Sequence, residues 1–388
     1  MIVAIRAFVI LAFVSFVRKK GSNMPQIKEI CSYLEQWAPP AYSESYDNVG
    51  LLVGDRDKDI QGVLVSLDCT EAIVDEAIEK GCNMVISHHP IIFKGLKSLT
   101  GKNYVERTLL KAIKNDIALY AIHTNLDSVL TGVNGKIADR LGLKNRTILN
   151  PKEESLNKVT VFVPKADSEQ VRKAMFDAGG GAIGNYSDCS FILEGKGTFR
   201  PQDGAKPAIG SIGKTQIEEE SRVEIMFPSY LSSQILAAME KSHPYEEVAY
   251  YLHSLENANQ YVGSGMIGEL PEEMQGPDFL SFLKEALQLK VIRHTQILAG
   301  KVSKVAICGG SGSFLLADAK RAGADVFVTG DFKYHEFFDA EEALMIADIG
   351  HYESERFTID LIADYLRKNF TTFAVRLTEE NTNPIHYF

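Results

Sequence analysis

Three short apolar runs constrain this chain most: VLVSLD at 63–68, NMVISHH at 83–89 and IALYAIHTNLD at 117–127 each end in polar residues, with helix-patterned stretches between them. Strand-length runs alternating with helical segments predict α/β layers rather than a bundle or a β-sandwich. TEAIVDEAIEKG at 70–81 reads as a helix that Thr70 caps and Gly81 stops. VERTLLKAIKND at 105–116 reads as the next helix. The same texture returns late in the chain, with KVAICGGSGS at 304–313, ADVFVTGD at 324–331, ALMIADIGHYESE at 343–355 and the helix FTIDLIADYLRKNF at 357–370.

Between these stretches the pattern changes. VTVFVPKADSEQVRKAMFDAGGG and SRVEIMFPSYLSSQILAAMEKSHPYEEVAYYLHSL each run strand, helix and further, and CSFILEGKGTFRPQDG reads as a hairpin with a long tip. Two such units predict an α+β module of the split βαβ kind. The expected organisation is a layered α/β body with mixed sheets, in a first lobe at 24–152 and a second at 262–388. An inserted ferredoxin-like domain at 153–261 interrupts it.

Residues 1–23 are expected to lie outside this fold. Ala7 to Val17 is nearly all apolar with basic flanks, but it falls short of the roughly 20 residues of a spanning helix. No small-x-small cleavage signal follows it, so no stable membrane insertion is expected. Cys31, Cys69, Cys82, Cys189 and Cys308 are scattered and odd in number, which argues against a disulfide framework or zinc knuckle and fits a reducing, cytoplasmic setting. A formal net charge of -10 argues against a broad nucleic-acid footprint.

In open α/β sheets ligands collect at the carboxyl ends of strands, and the chemistry-bearing residues fall there. His88 and His89 close one strand. Adjacent strand residues point to opposite faces, so a shared task requires the chain to turn, as Pro90 permits; the alternative is one buried and one solvated histidine. Asp127 ends HTNLD, where an acid equally serves as a turn or cap. His351 and Glu355 are four apart entering a helix and share a face, as a capping pair would. Taken together, imidazoles and carboxylates without thiolate suit divalent first-row metals. Five ligands exceed one open tetrahedral site and suit two ions sharing a carboxylate, with Glu355 the candidate bridge. Zinc, iron, manganese, cobalt and nickel all fit such donors.

His123 and His335 are the candidates for proton transfer or for orienting partners; Asp68 and Asp331 stand at strand ends with a weaker claim. GSGMIG at 263–268 spells a dinucleotide-type glycine pattern without the strand-turn-helix context that pattern needs. CGGSGS lacks the Lys-Ser/Thr ending of a phosphate loop, leaving either backbone N–H groups offered to an anion or a plain tight turn. HPYEE at 243–247 lies in the insert and reads as structural.

DNVGLLVG at 47–54, SHHPIIF at 87–93, HTNLD at 123–127, CGGSG at 308–312, VTGDFKYH at 328–335 and GHYESE at 350–355 resemble, in order, the signature blocks of the Nif-three-like dinuclear-metal family. Its bacterial members are labelled GTP cyclohydrolase 1 type 2 homologues. The insert, with its HPYEE block, resembles the PII- or CutA-like domain of the longer members. The resemblance implies that His88, His89, Asp127, His351 and Glu355 hold two divalent ions in a toroidal homohexamer. A metal-dependent hydrolase of a nucleotide or another phosphate-bearing or cyclic amide substrate is then expected. The alternatives are a non-enzymatic metal-binding regulator or metal-trafficking ring and, less in keeping with the acidic total, a ring around DNA.

Overall fold

The structure, a computed structural model, describes residues 24–388; the expectation for residues 1–23 lies outside the described residues. Among those described, no helix is long and apolar enough to cross a membrane. The chain forms two compact units, one spanning Lys152–Asn259 and the other joining the described residues up to Pro151 with Gln260–Phe388.

In chain order the body opens with β1 (Gly50–Val53), β2 (Gly62–Ser66), β3 (Met84–Ser87), β4 (Ala118–Ala121) and β5 (Lys144–Lys152). The inserted unit contributes β6 (Leu156–Pro164), β7 (Phe191–Phe199), β8 (Gln216–Pro228) and β9 (Tyr250–Leu255). The body resumes with β10 (Asn259–Gln275), β11 (Arg293–His294), β12 (Lys301–Ser311), β13 (Val326–Gly330), β14 (Met345–Asp348) and β15 (Ala374–Leu377).

The body holds two mixed sheets, ordered β1-β4-β3-β2-β15 and β11-β14-β13-β12-β10-β5. In the first, β15, β2, β3 and β4 run parallel and β1 joins antiparallel. In the second, β12, β13 and β14 run parallel between antiparallel neighbours. The central parallel strands β2, β3, β13 and β14 are buried along their whole length, which explains why they read as unbroken apolar runs rather than alternating ones. One apolar cluster, with Ile27, Leu34, Val63, Ile86 and Tyr120 at one end and Phe279, Leu283, Val305 and Leu366 at the other, packs the two sheets and their helices together.

Thr70 caps the helix Glu71–Glu79 by accepting from the Ile73 N–H, and Gly81 beyond it takes a left-handed φ of 67°. The inserted unit has the order β7-β8-β6-β9, wholly antiparallel, with helices Ser168–Asp177 and Ser232–Ser242. Strand-helix-strand twice, with the two first strands central, is the ferredoxin-like split βαβ arrangement. It has its own core of Val159, Val161, Val171, Met175, Val223, Ile225, Ile235 and Met239. GSGMIG lies inside β10, with Gly263 and Gly265 both at positive φ, and opens no helix.

Candidate metal centre

The carboxyl ends of the parallel strands carry the site. β3 ends at Ser87, and the chain turns there while the His88 and His89 N–H groups donate to Ser66 and Leu67 carbonyls at the end of β2. The Ser87 hydroxyl donates to the His89 carbonyl at 2.8 Å and closes the turn. Both imidazoles thereby reach one space, their ring centroids 4.9 Å apart. β4 leads into His123 and the short helix Thr124–Asp127, which presents Asp127. From the second sheet, β14 leads through Gly350, at φ 90°, into the helix His351–Glu355.

Each imidazole is held by its Nδ1. His88 Nδ1 pairs with the Ile122 carbonyl at 2.8 Å, His89 Nδ1 with Asp68 Oδ1 at 2.8 Å, His123 Nδ1 with Asp47 Oδ1 at 2.9 Å and His351 Nδ1 with Asp331 Oδ2 at 2.7 Å. Carbonyl and carboxylate oxygens only accept, so in every ring the proton belongs on Nδ1 and the neutral ring leaves Nε2 bare. This partner shell is the arrangement that aims ligating histidines at a metal. Asp331 fulfils it from a left-handed backbone, φ 58°. Asp68 has its carboxyl raised by burial, but bonds from His89 and Thr382 outweigh this and hold it below its usual range.

Three groups of donors converge: His88 with His89 and His123, His89 with His351 and Glu355, and His88 with Asp127 and Glu355, each offering atoms within 4.8 Å of one another. His89 Nε2 and His351 Nε2 stand 3.3 Å apart, and Glu355 Oε2 lies 3.0 and 3.1 Å from them. The other oxygen, Oε1, lies 3.7 Å from His88 Nε2, which is 3.6 Å from Asp127 Oδ1. Glu355 therefore offers one oxygen to each of two groups.

His88 Nε2, Asp127 Oδ1 and Glu355 Oε2 are buried atoms without a hydrogen-bond partner. Orphaned buried polar atoms are costly, about 1–3 kcal/mol each, and three in one cluster call for a cation. Two nitrogens bound at about 2.0–2.1 Å to one tetrahedral ion lie about 3.4 Å apart, close to the spacing of the two Nε2 atoms. The residues present therefore fit a divalent metal site.

The electrostatics agree. Burial pushes the Glu355 carboxyl up, but contact with His351, His88 and His89 outweighs it and holds the acid well below its usual range. Burial and the Glu355 charge push Asp127 up. Burial lowers the His89 and His351 rings, yet their carboxylate partners more than reverse this and raise them to about 10 and about 9. Protons thus take the positions a metal would hold.

Two glycines shape the floor. A Cβ on Gly310, which has φ 66°, would stand 2.4 Å from Glu355 Oε1, and one on Gly309 would stand 2.7 Å from Val133 Cγ1. Their N–H groups donate to Ser354 Oγ and Asn134 Oδ1. Of the two readings left open for CGGSGS, the anion loop loses these donors; the turn instead makes room for Glu355.

The structure brings His88, His89, Asp127, His351 and Glu355 together and adds His123 beside His88 and His89. It does not bring in His335, which is exposed on the turn Tyr334–Ala340 with its ring against Tyr334. Asp47 went unnoticed in the sequence: it precedes β1 and binds both His123 and the Thr124 backbone. Its signal was the DNVG block itself.

A mixed α/β body whose strand ends aim imidazoles and carboxylates at one point defines a protein built around a metal-site-like centre. The Duf34/NIF3 (NGG1p interacting factor 3) family model matches residues 25–384, and the chain belongs to that family. A Bacillus subtilis protein named GTP cyclohydrolase 1 type 2 homolog is 41% identical over 366 residues, covering 93% of this chain and 98% of the relative. A Bacillus cereus structure described as related to NIF3 superposes with TM-score 0.82 at 40% identity, covering 95% of this chain and all of that one. A Staphylococcus aureus structure gives TM-score 0.75 at 32% identity with the same coverage.

Proposed function

We propose that the chain is a dinuclear metal-dependent hydrolase in which Glu355 bridges two divalent ions, one with His89 and His351 and one with His88 and Asp127. The observation that carries this reading is the division of the two Glu355 oxygens between two donor groups. Ions held there supply Lewis acidity toward a phosphoryl or carbonyl oxygen and acidify water. Asp47 keeps His123 with its Nδ1 protonated and Nε2 free beside the centre, as a base or proton carrier must be. Phe93 packs its half-exposed ring edge-on to His123, 5.7 Å between centroids, and places an apolar side chain beside that imidazole. The substrate class is a nucleotide or another phosphate-bearing or cyclic amide compound; the name of the Bacillus subtilis relative points to GTP.

The test is to count metals in the purified protein, then screen GTP and phosphoesters for turnover with the wild type and Glu355→Gln. Turnover lost in the variant supports the hydrolase. Two bound metals with no turnover on any class would instead favour a metal-binding regulator. A specific feature favours that second reading: Phe191, Leu193 and Tyr251 leave apolar side chains exposed on one face of the sheet of the inserted unit. The same surface supports assembly of copies into the expected homohexameric ring, which light scattering checks.

A further inference from the structure

Residues 378–388 follow β15 without regular structure, and most are exposed; Thr382 and Asn383 are a half-buried pair among exposed neighbours. The segment is fastened at both ends of this pair. Upstream, Glu76 accepts from the Thr378 hydroxyl and the Glu379 N–H. Downstream, the Tyr387 hydroxyl packs beside Glu353 over Gly350.

The pair itself reaches the shell of the metal centre. Thr382 Oγ1 donates to Asp68 Oδ2 at 2.6 Å, and the other oxygen of that carboxylate holds His89 Nδ1 at 2.8 Å. Asn383 Nδ2 donates to Glu353 Oε1 at 3.1 Å. Glu353 is 8% exposed and sits on the five-residue helix between His351 and Glu355.

We propose that this segment is a strap that aims the ligands, with Thr382 a positioning residue acting through Asp68 on His89, and Asn383 one acting through Glu353 on the His351–Glu355 helix. A carboxylate held by one oxygen swings about its terminal torsion, which is broad and roughly two-fold. Held by both oxygens, it is fixed, and so is the ring it directs. Partners of this kind typically change metal affinity 10- to 100-fold. The bonds run in series, Thr382 to Asp68 to His89 Nδ1, leaving His89 Nε2 aimed at Glu355. The strap is thus wired to a ring from the first sheet and to a helix following the second, and one segment sets the register between them.

The inference rests on the reading of the cluster as a metal centre, and cobalt(II) separates the two. Cobalt is titrated into the metal-stripped full chain, followed by its visible absorption and by competition with zinc, for wild type, Thr382→Val, Thr382→Ser and Asn383→Ala. Thr382→Val is expected to bind cobalt about tenfold more weakly, with altered absorption bands, while Thr382→Ser restores both. Thermal melts of the metal-free proteins are expected to coincide. Wild-type affinity and bands in both Thr382→Val and Asn383→Ala would overturn the strap, as would a lowered melt with unchanged bands. A wild type that takes up no cobalt and no zinc would refute the metal centre itself.

Discussion

Replacing Gly310 with alanine tests the floor of the site with a single methyl group. Gly310 has φ 66°, a left-handed conformation that costs an L-residue roughly 1–2 kcal/mol. The added Cβ would lie 2.4 Å from Glu355 Oε1 and 3.3 Å from His351 Cε1, against ordinary contact beginning at 3.4 Å. Glu355 is 2% exposed, so its carboxylate has no solvent to retreat into. Relief requires a displacement of about 1 Å, whereas metal sites hold their ligand distances to roughly ±0.2 Å. The expected result is a metal affinity reduced about 100-fold, with the metal-free protein destabilised by about 2–5 kcal/mol, backbone and overpacking taken together. Zinc titration against a chromophoric chelator measures the first, and urea unfolding of metal-stripped protein the second. Gly300→Ala is the control, since a Cβ there meets nothing within 4 Å. If Gly310→Ala binds metal as tightly as wild type and Gly300→Ala does no less, Glu355 is not held against this turn and the floor is misread.

Two further predictions concern groups away from that floor. Glu106 accepts the Thr100, Gly101 and Lys102 N–H groups, and these bonds hold its carboxyl down to about 2 from 4.5. A depressed folded-state value means the stabilisation is present above about pH 4.5 and is lost as pH falls toward 2. The urea-midpoint advantage of wild type over Glu106→Gln should therefore shrink between pH 6 and pH 3 and vanish only below about pH 2, and a gap constant from pH 6 to pH 3 would contradict the sign. His335→Ala is expected to retain wild-type metal content and affinity, because its ring packs on Tyr334 outside the donor groups; loss of metal in elemental analysis would place it back in the centre.

The sequence made the donors legible because topology and chemistry coincide there. A buried parallel strand reads as an apolar run, and whatever polar residue follows it stands where such sheets gather ligands. His88, His89, Asp127, His351 and Glu355 all obey that rule, and the i, i+4 spacing put the last two on one face before any coordinates. His335 obeys its wording but not its geometry: the chain leaves β13 through the left-handed Asp331 into a short turn, and four residues carry the ring out to solvent. Asp331 keeps the functional position instead, on His351 Nδ1.

What stayed hidden was pairing across distance in the chain. Asp47 meets His123 from 76 residues away, and Thr382 meets Asp68 from 314; no local period encodes either. A glycine turn likewise does not reveal whether its open space serves an anion or a neighbouring carboxylate, since both require the missing Cβ. Only the destination of the N–H groups decides, and here Ser354 and Asn134 take them. The candidate donors were therefore written in strand ends, while the aim of each side chain was written in partners that the fold alone brings close. That division predicts where the site is fragile: exchanging a candidate donor is expected to abolish metal uptake in elemental analysis, whereas exchanging Asp47, Asp68 or Asp331 leaves every donor in place and is expected only to weaken it.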